Sequence, residues 1–432
     1  MCLLSIVTMA QTPPTISLDE ALTRARSNEP TFAAAAAASR NASLDRSIAR
    51  AALLPTVVYH NQFLYTQPVQ GTTTSANAST ANSNVTSAPR FIANNAVHEY
   101  VSQGSVTETI GAQQFNAVTR ATTAAAIAAA ELEIARRGLT AVVVGLYYNT
   151  LAADQKLAIA QRALYEANSF TTLTQQREAA REVARADVVK AQLQQQQRTR
   201  DLTDARLQVQ RSRLDLAVLL FPDPRSPYTL AVSDTPPAPP ARAEVEGALA
   251  KRNPELQSAL ASSRLADLTV TSARLAYLPD LSLNYTYGID ATQFATHAYD
   301  GTRNLGYSAS ATLDIPIWDW FSTQNRVRQS RISRDVARTV LTNTQRRLIA
   351  QLEEFYAEAI AAHEQLVSLD QSVVTATDSL RLTRLRYTAG EATVLEVVDA
   401  QNSLTTAELA HEDGTVRYQT ALANLQILTG TI

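Results

Sequence analysis

Residues 386–404 read RYTAGEATVLEVVDAQNSL. A helical pattern runs into this stretch and halts at Gly390, the residue type that takes a positive φ at no steric cost and lets a chain reverse between two helices. The pattern resumes past Thr393. Glu391, Thr393 and Glu396 fall in the first turns of the returning helix, where carboxylates complement the positive end of the helix dipole. Glu396 and Asp399 are three residues apart and project from one face. The stretch reads as the tip of a helical hairpin, with Gly390 as its turn and two acids on its returning arm.

Upstream, Leu341, Leu348, Leu352, Phe355, Ala359, Leu366, Leu369, Val373 and Leu380 recur at spacings of three, four and seven. That is the narrow seam by which one helix packs along another. Trp320 to about Arg386 reads as one helix, which would span roughly 100 Å and implies an elongated molecule. A further helix, Val394 to Leu428, follows.

The same order of elements occurs earlier. Leu18 to Leu54 reads as helix, with Ser17 as N-cap and Glu20 three residues on, and stops at Leu54-Pro55. Ala243 to Leu278 stops likewise at Leu278-Pro279. An alternating segment follows each stop. Leu281, Leu283, Tyr285 and Tyr287 share one face and Ser282, Asn284 and Thr286 the other, the period of a strand. Each half then has a polar loop and a second strand: loop 68–104 with a strand from about Ser105 to Asn116, and loop 290–304 with a strand from Leu305 to Ile317. In the first half, helices from Val118 to about Gln176 and from Ala184 to Leu220 come next. The expected organisation is a leader over residues 1–15 and a first repeat over 16–220 with its hairpin at 55–117. An extended Pro-rich linker over 221–240 leads to a second repeat over 241–432, with its hairpin at 279–317.

Composition narrows the function. Across 432 residues the formal charge is −2 and glycine occurs only 12 times, which excludes a polybasic nucleic-acid binder and favours long helices. Cys2 is the single cysteine, so a disulfide framework and a Cys-ligated metal site are excluded. The opening MCLLSIVTMA resembles the apolar core and cleavage region of an export signal without its basic start. No stretch reaches the roughly 18–20 apolar residues of a membrane-spanning helix, yet the strands have the length of tilted outer-membrane strands. Four strands cannot close alone, since the smallest membrane barrels have about eight. Tyr59, Phe63, Tyr65, Tyr285, Tyr287, Tyr307, Trp318 and Trp320 suit interfacial girdles. The same residues also suit cross-strand pairs of a soluble sheet.

Residues 386–404 resemble the periplasmic-tip signature of the TolC-type outer-membrane efflux proteins, RYxxGxxTxLxVLDAQxxL. Leu313 to Phe321, with Ile315-Pro316-Ile317-Trp318-Asp319, is similar to that family's strand-to-helix junction, and Arg185 to Gln192 to a degenerate first copy of the tip. The resemblance implies an α+β membrane protein with internal duplication. It would have a long α-helical coiled-coil tunnel and four transmembrane β-strands per chain, closing as a 12-stranded barrel in a homotrimer. It implies a channel in the outer membrane of a Gram-negative-type bacterium, its helical tunnel periplasmic, and no enzyme. Solutes would pass from a periplasmic adaptor and inner-membrane pump to the exterior, in tripartite efflux or type I secretion. The adaptor would dock helical hairpins near the tip. The further partner is outer-membrane lipid; nucleic acid, cofactor and metal are not implied. At the tip, Glu396 and Asp399 would form an acidic ring that attracts cations, and Tyr387 would link to Asp187 to lock the gate. The basic gate residue of some members falls at Ala392, so the closed state would be held by fewer bonds, or by Arg181 or Arg185 nearby.

No phosphate loop, dinucleotide fingerprint, HExxH or GxSxG occurs. His411-Glu412-Asp413 beside Gly414 reads as a solvated helix break. The alternative to a channel is a periplasmic coiled-coil scaffold or adaptor, against which the duplicated strand pairs weigh.

Overall fold

The computed structural model describes residues 14–65, 98–231 and 237–430. Most of the expected leader, most of loop 68–104 and part of the linker lie outside them. The first half comprises β1 (Thr15–Ile16), α1 (Leu18–Asn28), α2 (Pro30–Ala51), β2 (Thr56–Tyr65), β3 (His98–Ile110), α3 (Ala112–Ala179) and α4 (Arg185–Leu220). After β4 (Thr229–Leu230) come α5 (Arg242–Arg252), α6 (Pro254–Leu275), β5 (Asp280–Ala291), β6 (Leu305–Asp314), α7 (Ser322–Thr388) and α8 (Val394–Thr429). Corresponding helices have 11 and 11, 22 and 22, 68 and 67, and 36 and 36 residues, so the halves are built alike.

Several boundaries differ from the sequence expectation for identifiable reasons. The helix expected over Leu18 to Leu54 is two, because Pro30 lacks an N–H and disfavours helix in the residue before it; Pro254 divides the second helix in the same way. The strand expected to reach Asn116 ends at Ile110, where its pairing with Leu281 ends. Gly111 makes the corner, since a Cβ there would lie 1.9 Å from Asp280 Oδ1. Gln113 and Asn116 are helical instead and donate to the carbonyls of Ser272 and Leu268 at 2.9 and 3.2 Å. Residues 98–104, expected in the loop, are strand. β6 stops before Pro316, which cannot donate to a ladder. Within the linker, β4 pairs in parallel with β1.

Two compact units cut across the halves. One runs up to Arg40 and takes in Ala126–Ala261 and Arg338 onward; the other is Asn41–Ala125 with Ser262–Ala337. In the first, the heptad seam holds: Leu348, Leu352, Ala359 and Leu380 are buried. Arg137 is buried too and donates to the carbonyls of Ile427 and Arg252 at 2.9 and 3.0 Å, ending two helices at one guanidinium. Glu133 pairs with it, its carboxyl pulled down to about 2, chiefly by the hydrogen bond from Arg136. The expected break at Gly414 is absent. α8 runs through it, and the glycine permits a close helix contact, because a Cβ would meet Leu369 Cδ1 at 2.5 Å. His411 bonds Asp370 at 2.8 Å, and Asp413 pairs with Lys156.

The second unit holds an antiparallel sheet of order β2-β3-β5-β6. Its register puts Tyr59, Phe63, Tyr100, Tyr285, Tyr287 and Tyr307 on one face and Gln62, Gln103, Asn284, Thr286, Ser308 and Ser310 on the other. Polar groups on the aromatic face satisfy one another: Tyr59 OH meets Ser102 Oγ at 2.8 Å, and Ser102 donates to Asn61 at 2.7 Å. β2 and β6 are open edges. Among the described residues no helix is long and apolar enough to cross a membrane.

Gly288 fixes the centre of the sheet. A Cβ there would lie 2.3 Å from Ser102 O and 2.4 Å from Gln103 Cα, backbone atoms that cannot step aside. Gly288→Ala is expected to cost about 3 kcal/mol and to part β3 from β5 locally. Thermal melting in detergent checks this, and an unchanged midpoint contradicts the register.

Candidate functional site: the helical tips

The two turns between long helices share one hydrogen-bond pattern. In the second, Gly390 N–H donates to Tyr387 O at 3.1 Å and Glu391 N–H to Arg386 O at 2.9 Å; in the first, Arg181 N–H donates to Glu178 O and Glu182 N–H to Arg177 O, each at 2.8 Å. Gly390 has φ 78° and Arg181 φ 62°. Superposing the turns pairs Arg177 with Arg386, Arg181 with Gly390, Ala184 with Thr393 and Asp187 with Glu396.

The pairing exposes a defect in the first turn. A left-handed arginine costs roughly 1–2 kcal/mol, whereas glycine there costs only about 0.4–1 kcal/mol through greater freedom of the unfolded chain. Arg181→Gly is therefore expected to stabilise the tip by up to about 1 kcal/mol, read as slower amide exchange at Glu182. Faster exchange would contradict the turn geometry.

Thr393 caps α8, and its hydroxyl accepts from Glu396 N–H at 3.3 Å. The Glu396 carboxylate reaches back to Thr393 N–H at 3.2 Å and accepts from the Thr393 hydroxyl at 3.1 Å. This reciprocal capping box satisfies two helix-end donors at once. Chiefly the Thr393 N–H, then its hydroxyl, holds the Glu396 carboxyl below its ordinary value, with Arg386 3.5 Å away. Glu396 thus has a structural task as well as a charge. Asp399, one turn on and exposed on the same face, has no side-chain partner among the described residues.

Tyr387 is 2% exposed and packs edge-on to Phe170, ring centroids 5.2 Å apart, among Ala191, Val394, Val397 and Val398. Its hydroxyl is buried without a hydrogen-bond partner, a cost of about 1–3 kcal/mol. Asp187, half-buried in the first turn of α4, does not reach it within the chain. Ala392 packs against the same apolar cluster. Arg185 pairs with Glu178 at 3.2 Å.

The residue that joins the two tips is Arg177. One of its Nη atoms donates to Tyr387 O at 2.7 Å and the other to Thr388 O at 2.8 Å, while the guanidinium carbon lies 4.7 Å over the Tyr387 ring. A fork of two donors suits the carbonyls that end α7. Its counterpart Arg386 turns back on its own hairpin, to Glu391 O at 3.1 Å. Behind the tips, α3, α4, α7 and α8 line a groove of about 550 Å³ with Tyr165, Arg198, Leu380 and Gln401 in its wall. The Glu166–Arg384 and Arg162–Glu408 ion pairs cross it. No cluster of metal-ligating residues occurs among the described residues.

Residues 247–431, which include the whole second tip, match the family described as outer membrane efflux protein. The second half of the chain is thus similar to the outer membrane efflux proteins. The chain is 26% identical over 300 residues to the outer membrane protein OprJ of Pseudomonas aeruginosa, covering 67% of this chain and 61% of that protein. To the outer membrane protein TolC of Escherichia coli it is 25% identical over 190 residues, 42% of this chain and 38% of that one. The matched stretches therefore span less than two thirds of these relatives. Among solved structures, the CmeC outer membrane channel of Campylobacter jejuni superposes with a TM-score of 0.79 at 16% identity, over 99% of this chain and 90% of that one. The open-state MtrE channel of Neisseria gonorrhoeae gives 0.75 at 18%, over 96% and 88%. At these identities the likeness establishes the fold: a helical tunnel architecture with a small β-sheet.

Proposed function

We propose that this chain is the outer-membrane channel of a tripartite efflux or type I secretion system, conducting solutes passively from an adaptor and inner-membrane pump to the exterior. The observation that carries the reading is the sheet, with one aromatic face, one polar face and two open edges. Open edges are not tolerated in lipid. With an even number of antiparallel strands, β6 of one chain meets β2 of the next antiparallel, so a ring of chains closes the barrel. Two chains would give about eight strands, an interior filled by side chains; three give twelve and a lumen lined by the polar face.

The long helices support a ring as well. Val189, Leu193, Leu207, Leu214 and Val218 form an exposed stripe on α4, and Ile349, Val367, Val374 and Leu385 another on α7. Two different unpartnered stripes suit a heterologous interface, the kind that closes into a cycle. The relatives named above are outer membrane proteins, which supports an outer-membrane location in a Gram-negative-type cell, with the helices in the periplasm. The groove behind the tips offers the adaptor a helix-sized seat.

At the tips, Glu396 and Asp399 make the acidic constriction and Gly390 the turn that carries it. Tyr387 and Asp187 form the lock of the closed assembly, in which the orphan hydroxyl gains its acceptor. Single-channel recording in planar bilayers tests the reading: steps of cation-selective conductance support it, and a detergent-independent soluble protein without conductance overturns it. Tyr387→Phe with Asp187→Ala is expected to raise conductance and passive antibiotic entry several-fold. Unchanged values would remove both residues from the gate.

A further inference from the structure

Past α4 the chain folds back along the helix it has just left. Asp223 sets the reversal: its carboxylate accepts from Arg225 N–H at 3.0 Å and its carbonyl from Ser226 N–H at 3.1 Å. Tyr228 is buried and pins the returning segment, donating to Arg213 O at 2.8 Å with its ring 5.6 Å from that of Phe221. A groove of about 410 Å³ remains between this segment and α4. Val209, Pro227 and Tyr228 give it an apolar lining, and Arg206, Arg213 and Arg225 stand around it. The positive charge of these arginines is only partly answered. One Nη of Arg213 donates to both Asp154 oxygens, each at 3.0 Å. Arg225 is 90% exposed and its carboxylate partner, Asp223, is 4.0 Å away. Arg206 is exposed and has no carboxylate partner among the described residues. Other arginines of the long helices are taken up by pairs between helices, as in Arg162–Glu408 and Arg417–Glu358. The groove therefore keeps cationic forks available to an anion from outside the chain.

We propose that this groove binds the short, carboxylate-bearing stem peptides of the cell wall and so tethers the helical part of the channel to the wall it crosses. The proposal rests on the channel reading, which puts these helices in the periplasm. The size of the groove favours a short peptide over a folded partner. Its volume falls in the range of small-ligand pockets, whereas a stable contact between folded proteins buries about 800 Å² on each side. The chemistry matches at both ends of such a peptide. Free carboxylates suit the planar forks of Arg206 and Arg225, and alanine methyl groups suit the lining of Val209, Pro227 and Tyr228. A ring of chains would present the groove several times to a polymer that repeats its peptides, so weak single contacts add up to firm attachment. Arg206 lies roughly 30 Å along α4 from Arg185 at the tip turn, which leaves the tip free for other contacts.

The test is cosedimentation of the full-length, detergent-extracted protein with purified cell-wall sacculi. The unaltered protein is expected to pellet with intact sacculi at low ionic strength and to be released in about 1 M salt, where the screening length falls to about 3 Å. Sacculi stripped of their peptides by an amidase should no longer carry it down. Arg206→Gln with Arg225→Gln is expected to bind intact sacculi roughly ten-fold less, since each chain of the ring loses two charged contacts. Both side chains are exposed, so the melting temperature and single-channel conductance of that variant should stay as they are. Equal binding by the variant would overturn the groove as the site. Equal binding to the stripped glycan would overturn the peptide as the ligand. An unaltered protein that conducts but does not pellet would overturn the tether and leave the channel, the groove then being filled by water or by a neighbouring copy. Protein that pellets but neither conducts nor needs detergent would overturn the channel reading and keep the groove.

Discussion

Arg177→Gln is expected to raise single-channel conductance several-fold and to let large antibiotics leak inward. The substitution removes two hydrogen bonds from a charged donor to Tyr387 O and Thr388 O, together with the contact over the Tyr387 ring. The arginine side chain is 18% exposed, so solvent repays little of the loss. About 2 kcal/mol per chain is a fair net figure for such a site. That shifts a closed-to-open ratio about thirty-fold in each chain. Arg177→Lys keeps the charge and loses the fork, so it should fall between the two. A merely structural role would lower thermal stability without moving conductance. Conductance equal to that of the unaltered protein would remove Arg177 from the gate.

Asp399→Arg is expected to turn a cation-preferring channel into an anion-preferring one at low ionic strength. Asp399 is exposed at the tip and unpaired among the described residues, so in a ring of chains its charge acts directly on the lumen. Glu396 acts less freely, because Thr393 and Arg386 already occupy its carboxylate. Glu396→Gln is the fitting control: glutamine keeps the capping box and removes the charge. It should lower cation preference modestly, and Asp399→Asn more strongly. Both effects should fade in about 1 M salt, where the screening length falls to about 3 Å. Reversal potentials measured across a salt gradient decide. Identical selectivity in all three variants would take the acidic residues off the conduction path.

Much of this arrangement was legible in the sequence because it rests on local rules. Gly390 announces a left-handed turn, Glu396 falls where a carboxylate suits the start of a helix, and the heptad seam names its own buried residues. The alternation of β5 separated an aromatic face from a polar one before any register was known. What stayed hidden depends on contacts distant in sequence or on backbone that breaks its own rules. Arg177 carries no motif, and only alignment of QREAARE at residues 176–182 with LRYTAGE at residues 385–391 would have exposed it. Arg181, Trp320 and Phe321 take left-handed backbone where glycine would be expected, so no turn signal marks them. Gly414 resembles a helix break, yet its cause is Leu369 on another helix. The Tyr387–Asp187 link came from family resemblance. Within one chain the tyrosine hydroxyl is unpartnered, and the arginine that resemblance did not supply makes the connection between the tips.

The central claim is that several chains pool their strands into one barrel. It is tested most directly by the mass of the detergent-extracted particle, measured by light scattering with the detergent contribution subtracted. The channel reading predicts about three times the 46.8 kDa of a single chain, with no smaller species until the sheet melts. A particle of one chain, stable without detergent, would contradict it.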